Sequence, residues 1–295
     1  MKISDQLVPF KRFAIYEKGM VNKSCLNIIQ VIKKLDAFLD FKNIEKISTN
    51  DILSYLYENR EIKGWSPKTF CNYRQSIITF FQFCIKREII KKNPAISIEK
   101  PKVPKSLPRS LSKKDVRKLI QYFEVFEWQT DFERIRNDCI FKTFLYTGLR
   151  LNELLNLKNS DVLLLERMIK VIKGKGNKDR SIPIHNDLYY LLKRYKEMKL
   201  KKHPDSVYFF VSQKRGMRLT DKNLYAVFSK IQKATGIYFT PHMLRHTFGK
   251  CSIEANLNVF KLKEILGHSS VSTTQIYMSV SMENIKNSFV NLELV

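Results

Sequence analysis

Residues 99–118 restrict the possible folds of this chain more than any other stretch. The run Glu99-Lys100-Pro101-Lys102-Val103-Pro104-Lys105 continues to Pro108-Arg109, with three prolines and no apolar repeat at helical spacing. Proline fixes φ and donates no backbone hydrogen bond, so such a run stays extended and lies outside any helix. The chain is therefore read as two folded parts and a tether. At 295 residues it is long enough for each part to bury a core. The span also carries eight Lys/Arg against Glu99 and Asp115, a net charge of +6. That charge favours contact with phosphates, with Lys102 and Lys105 as candidates; the alternative is a solvated linker. The expected boundaries are 1–98 for the first part, 99–111 for the linker and 112–295 for the second.

The first part reads as helices throughout. Leu7, Phe10 and Phe13 begin one apolar stripe, and Ile28, Ile32, Leu35 and Leu39 make a second. Ser48-Thr49-Asn50-Asp51 supplies N-cap formers for a third helix, and Ser66-Pro67 opens a fourth, whose buried side runs through Phe70, Tyr73, Ile77, Phe80, Phe81 and Cys84. An aromatic stripe at this spacing is core rather than a base-stacking platform. Asn93-Pro94 stops the run. Lys23, Lys68, Asn72 and Arg74 are candidate phosphate contacts, the alternative being solvated surface.

In the second part, Ser112 is a plausible cap for a helix through Val116, Leu119 and Ile120. A further helix from Asn137 to Tyr146 ends at Thr147-Gly148, glycine supplying the turn conformation. Arg150 follows among leucines, with Glu153 three positions on. A buried arginine needs an anionic partner, so this is either a structural ion pair or a ligand-facing cation. Met168–Lys173 and Ser181–Ile184 alternate like strands around Gly174-Lys175-Gly176-Asn177-Lys178-Asp179-Arg180, which reads as a basic hairpin. It lacks the spacing of a phosphate-binding loop for ATP. A helix over 187–202, a strand-like run at Val207–Val211 and a helix from Thr220 look like scaffold. Met282–Val290 reads as a small amphipathic helix too short to stand alone; it must dock on its own protomer or on a neighbour.

The chemistry concentrates between His242 and Tyr277. Three of the five histidines, His242, His246 and His268, lie here with Arg245. On the helix that Pro241 opens, His242 and Arg245 share a face. An imidazole beside a cation suits an anionic substrate whose reaction moves protons. The i,i+4 pair His242 and His246 has the spacing of a zinc helix, but Met243 stands where that motif places glutamate. His246 is read as structural.

Composition narrows the partner. Lys+Arg number 53 against 28 Asp+Glu, a formal charge of +25, with a pI near 9.8. That is the footprint of a polyanion binder, nucleic acid by default, or else the lysine excess of an AT-rich genome. No apolar run reaches the ~20 residues of a membrane span, and no secretory signal is expected. Five scattered cysteines fit reduced thiols in a cytosolic protein.

Together these segments resemble the two signatures of the tyrosine recombinase (phage integrase) family. Thr147-Gly148-Leu149-Arg150 with Glu153-Leu154 matches its first motif, TGLRxxEL. His242-Met243-Leu244-Arg245-His246, then Leu266-Gly267-His268, then Tyr277 nine positions on match the second. Many relatives have a histidine two residues after the tyrosine, where this chain has Ser279. The resemblance implies a mainly α fold with a small antiparallel β-sheet. It pairs an N-terminal helical bundle (SAM-like, core-binding) that clamps duplex DNA with a C-terminal mixed α/β catalytic domain, tail helix at about 282–290. It further implies six catalytic residues: Arg150, Lys175, His242, Arg245, His268 and the nucleophile Tyr277. Lys178 and Arg180 would be supporting phosphate contacts.

The implied activity is site-specific DNA recombination through a 3′-phosphotyrosine, with no metal, ATP or other cofactor. The partners would be double-stranded DNA and further copies of the chain, in a tetrameric synapse with the tail exchanged between protomers. The expected location is the cytoplasm, at the nucleoid. The compact size leans towards the simpler Xer-like or transposon type. Two competing readings are a type IB topoisomerase-like relaxing enzyme and a DNA-binding module with a dead site.

Overall fold

The computed structural model describes residues 1–104, 109–172 and 179–267. Lys105, Lys175, Lys178, His268, Tyr277 and the expected tail helix lie outside the described residues. The chain forms two compact units, Met1–Ser106 and Leu107–Val295.

The first unit is built on α1 (Ile3–Arg12), α2 (Asn22–Phe38), α3 (Thr49–Ile62) and α4 (Pro67–Lys86). Each of the later two helices starts where the sequence supplies a cap. The Ser48 hydroxyl accepts from the Asp51 N–H while the Asp51 carboxylate accepts from Ser48 N–H, a reciprocal box. Ser66 caps α4, with Pro67 at its first position. The aromatic stripe of α4 is core: Phe80 and Phe83 each meet Phe10 edge-on at 5.5 Å between centroids.

Lys23, Lys68, Asn72 and Lys102 are exposed. Arg74 is not, which corrects the expectation that it faces phosphate. It is 7% exposed, and its guanidinium donates to the carbonyls of Ile96 and Ile98. A buried cation must satisfy its donors internally, and here it pins the chain leaving the unit against α4. Asn93 does not end a helix, since α4 stops at Lys86. Its side chain instead donates to Ile78 O and accepts from Ala95 N–H, closing the loop.

The second unit contains α5 (Lys113–Val125), α6 (Asp131–Thr147), α7 (Leu151–Leu155), α8 (Asn186–Lys202), α9 (Asp221–Thr235), α10 (Pro241–Glu254) and α11 (Val259–Leu266). A three-stranded antiparallel sheet, β1 (Val162–Leu163), β2 (Met168–Val171) and β3 (Arg180–Pro183), lies between α7 and α8 in sequence. The fold class is the one expected. β2 and β3 are the two hairpin strands, in register Ile169↔Ile182 and Val171↔Arg180, and β1 adds an unforeseen edge.

Helix α6 is buried along most of its length and organises the rest. Phe141 stacks on Phe123 of α5 at 4.3 Å. α6 starts earlier than expected, at Asp131 under the Thr130 cap. Its polar run Arg136-Asn137-Asp138 hid the apolar pattern, yet that run is buried, with Arg136 donating to Asn137 Oδ1 and Val211 O. Val207–Val211 makes only isolated bridges, Lys158↔Tyr208 and Val211↔Arg218. Phe209, Phe210 and Val211 are buried in the core, so apolarity there reports burial rather than a strand.

Candidate active site

The site begins where α6 stops. Gly148 takes the left-handed conformation at φ 60° and returns its N–H to Phe144 O. Only glycine suits this place on two counts. The conformation is strained for other residues, and a Cβ would stand 2.6 Å from Phe248 Cδ1 and 2.8 Å from Leu266 Cδ2. α10 and α11 therefore close directly onto the turn. The next residues fold back at once into α7, whose N-cap is Arg150.

Three arginines from distant parts of the unit converge on the end of α11. Ile265 O accepts Arg180 Nε at 2.7 Å, Leu266 O accepts Arg245 Nη2 at 2.6 Å, and Gly267 O accepts Arg150 Nη2 at 2.9 Å. These are consecutive carbonyls at a helix C-terminus, where backbone acceptors lack intrahelical donors and the helix dipole is negative. Gly267, in the left-handed conformation at φ 64°, ends the helix so that all three point outward. Arg245 reaches further, placing Nη1 2.6 Å from Gly148 O. The sequence motif around Leu266-Gly267 thus anchors guanidinium groups besides preceding His268.

Glu153 is the carboxylate of this corner. It accepts Arg150 Nη1 at 2.8 Å and the Arg150 backbone N–H at 2.8 Å, and both terminal nitrogens of Arg180 at 3.0 and 2.7 Å. Burial by itself would raise its pKa. The hydrogen bonds from Arg180 and from Arg150, with the Arg180 charge, outweigh burial and bring it down to about 2. Arg150 and Arg180 share this single carboxylate, a pair with one positive charge in surplus, and Arg245 stands beside them on Gly148 O and Leu266 O. Such a surplus calls for an anionic ligand. Arg245 is buried, whereas the Arg150 side chain keeps 27% of its surface open to solvent.

Arg180 corrects an expectation. Sequence reading assigned it to phosphate as a supporting contact. Its side chain is instead 9% exposed, with Nε and both terminal nitrogens held by Ile265 O and Glu153. It ties the base of the β2–β3 hairpin to both arginine-bearing segments. Its partners lie 27 and 85 positions away in sequence, so no local pattern announced them.

The histidines stand on α10, which Thr240 caps by accepting the Met243 N–H, with Pro241 in first position. His242 is exposed and His246 half-buried. Their rings meet, Nε2 to Nε2, at 2.9 Å. Partial burial, then the charges of Arg245 and Arg150, push the His242 pKa down. Burial, His242 and Arg245 push that of His246 down to about 4. The contact between the rings escaped the sequence reading, although the i,i+4 spacing was its signal. Thr247 was missed as well: its buried hydroxyl accepts the Leu111 N–H at 2.9 Å and donates to Met243 O. Of the six catalytic residues expected, Arg150, His242 and Arg245 come together here, and Lys175, His268 and Tyr277 lie outside the described residues. Among the described residues, no group of three His, Cys, Asp or Glu gathers as a metal site. No described helix is long and apolar enough to cross a membrane.

Comparison with known proteins gives the family of the chain. A family model described as the phage integrase family matches residues 109–284. The tyrosine recombinase XerC of Bacillus pumilus is 31% identical over 284 residues, covering 92% of this chain and 91% of the relative. The tyrosine recombinase XerA of Pyrococcus furiosus is 33% identical over 250 residues, covering 84% and 82%. Among solved structures, the XerH site-specific recombinase bound to palindromic difH substrate, a post-cleavage complex, superposes with a TM-score of 0.75. It is 22% identical and covers 97% of this chain and 84% of that one, a likeness of fold.

Proposed function

The chain belongs to the phage integrase family, the tyrosine recombinases, and from that premise we propose that it is a site-specific recombinase of double-stranded DNA. The observation that carries the reading is the corner at the end of α11, where Arg150, Arg180 and Arg245 are held on three successive carbonyls and the first two also on Glu153. A phosphodiester supplies the missing negative charge. Arg150 and Arg245 would each turn a planar guanidinium towards its non-bridging oxygens. Donors fixed before the substrate arrives stabilise the charge that develops on a five-coordinate phosphorus.

In this reading Tyr277 attacks the phosphorus and the P–O5′ bond breaks, leaving a 3′-phosphotyrosine. Lys175 gives its proton to the departing 5′-oxygen, His242 exchanges the proton of Tyr277, and His268 donates to the phosphate. Because the new ester retains the bond energy, a 5′-hydroxyl from a second duplex can reverse the step and complete strand exchange. Positive charge comes from side chains, so the step needs neither metal nor ATP.

The first unit would hold the duplex through Lys23, Lys68 and Asn72, with Lys102 and Lys105 on the segment between the units and Lys178 on the hairpin. The active assembly would be a tetramer on DNA whose tails pass between protomers, working in the cytoplasm at the nucleoid. Relaxation of DNA without partner exchange is not favoured, because the curated relatives are named recombinases.

The test is a suicide DNA substrate whose nicked strand departs after cleavage. The protein should form a covalent adduct that Tyr277→Phe abolishes. An adduct undiminished in that variant would overturn the reading, and so would failure of the native chain to form one on the site mapped by footprinting.

A further inference from the structure

The reaction just described gives His242 a proton to hold, and the structure shows what lies against the nitrogen opposite. His246 sits one helical turn on, its Nε2 2.9 Å from Nε2 of His242, the rings crossing at 77° with centroids 4.3 Å apart. Between two neutral imidazoles this bond can run either way. Once His242 is protonated it runs only one way, because an imidazolium has no lone pair. His242 must then donate from Nε2, and His246 must accept.

We infer that His246 is the positioning residue for His242: its Nε2 accepts the Nε2–H of His242, so that Nδ1 is the nitrogen that exchanges the proton of Tyr277. The inference rests on the recombinase reading above. As the oxygen of Tyr277 bonds to phosphorus, its proton passes to Nδ1. The imidazolium is held through Nε2–H on His246, and the same proton returns from Nδ1 when the phosphotyrosine is resolved. If instead His246 donated, the proton of neutral His242 would sit on Nδ1 and the ring could take nothing there.

The surroundings make His246 a dependable acceptor. The charged and titratable groups facing the pair among the described residues are Arg245 of the same helix and Arg150 at the start of α7, the latter acting on His242. Half-buried beside them, His246 titrates near 4 and is neutral at working pH. An acceptor that could itself become protonated near neutrality would fail when His242 most needed it.

The test is single-turnover cleavage of the suicide substrate by the full chain across pH 5.5–8, with DNA affinity and melting temperature measured alongside. His246→Leu should slow cleavage about tenfold at neutral pH, and His246→Gln, whose amide can place an oxygen near the Nε2 position, should recover the rate to within about threefold. His246→Leu should also move the acid limb of the pH–rate profile lower, since protonated His242 has lost its acceptor, while His246→Gln should leave it near the native position. With His242→Gln already present, His246→Leu should cost nothing further.

Equal slowing by Leu and Gln, an unmoved acid limb, or losses that multiply in the His242→Gln background would each overturn the inference. Should His246→Leu not fold, His246→Asn replaces it, because the shorter amide stops short of His242. The two readings fail separately. A persistent adduct in Tyr277→Phe removes the recombinase reading, whereas loss of that adduct with native rates in the His246 variants removes only this one.

Discussion

Both units bury arginine on backbone carbonyls, with opposite results. In the first, Arg74 lies alone, its donors spent on Ile96 O and Ile98 O, and the outcome is a fastened chain segment. In the second, Arg150, Arg180 and Arg245 take three successive carbonyls at one helix end, and Arg150 and Arg180 also share Glu153. One guanidinium on neutral acceptors is a rivet. Three held within reach of each other form an electrostatic site, because their mutual repulsion is relieved when an anion binds. The burial of a cation therefore says little about its role; convergence says more.

The comparison can be broken most directly by removing one arginine from each unit. Arg245→Ala should lower single-turnover cleavage by about 10²–10³-fold at saturating DNA, the usual cost of one preorganised donor. Arg74→Ala should leave that rate within about threefold and cost only ~1–3 kcal/mol of stability, the penalty of unsatisfied carbonyls. Similar losses of cleavage rate in both variants would abolish the distinction.

Glu153→Gln tests what holds the cluster together. Breaking a buried ion pair on one side costs about 3–5 kcal/mol, so chemical denaturation at pH 7 should show a loss of that order. The pH dependence has a definite sign. The carboxyl titrates at about 2 in the folded chain against an ordinary 4.5. Its contribution, about 3 kcal/mol, is fully present above pH 4.5 and fades as pH falls towards 2. Melting curves of the native chain should fall across that window more steeply than those of Glu153→Gln; parallel curves would show that Glu153 does not carry the effect.

Gly148→Ala sharpens the comparison at the backbone. The left-handed conformation and the close approach of Phe248 and Leu266 should together cost ~2–3 kcal/mol, and cleavage should fall too, because Gly148 O accepts from Arg245. The smallest effect is expected for Ser112→Ala, which removes the cap of α5 away from the cluster and should cost ~1 kcal/mol with cleavage unchanged.

What could be read from sequence was local. Ser48, Ser66 and Ser112 announced their helices because a cap and the N–H it serves are three residues apart. Arg150 and Glu153 were paired for the same reason, and His242 with Arg245 by helical spacing. The inward turn of Arg74 and of Arg180 was not legible, since their acceptors come from distant segments and leave no periodic trace. The start of α6 is hidden because Arg136, Asn137 and Asp138 look like surface, though in the folded chain Arg136 donates to Asn137 Oδ1 and Val211 O and Asp138 accepts from Lys142. His246 reads as structural from sequence, and its contact with His242 one turn back becomes visible only in the folded chain.

The end of α11 has a consequence for how the chain can vary. Three side chains from three segments are indexed to three neighbouring carbonyls, so the helix acts as a ruler for the corner. Adding or deleting one residue within Val259–Leu266 would turn those carbonyls by about 100° about the helix axis and unseat every arginine at once. Substitutions along the helix are a different matter, since the anchoring groups are main-chain atoms. Drift in side-chain identity is therefore compatible with this corner, and drift in length is not.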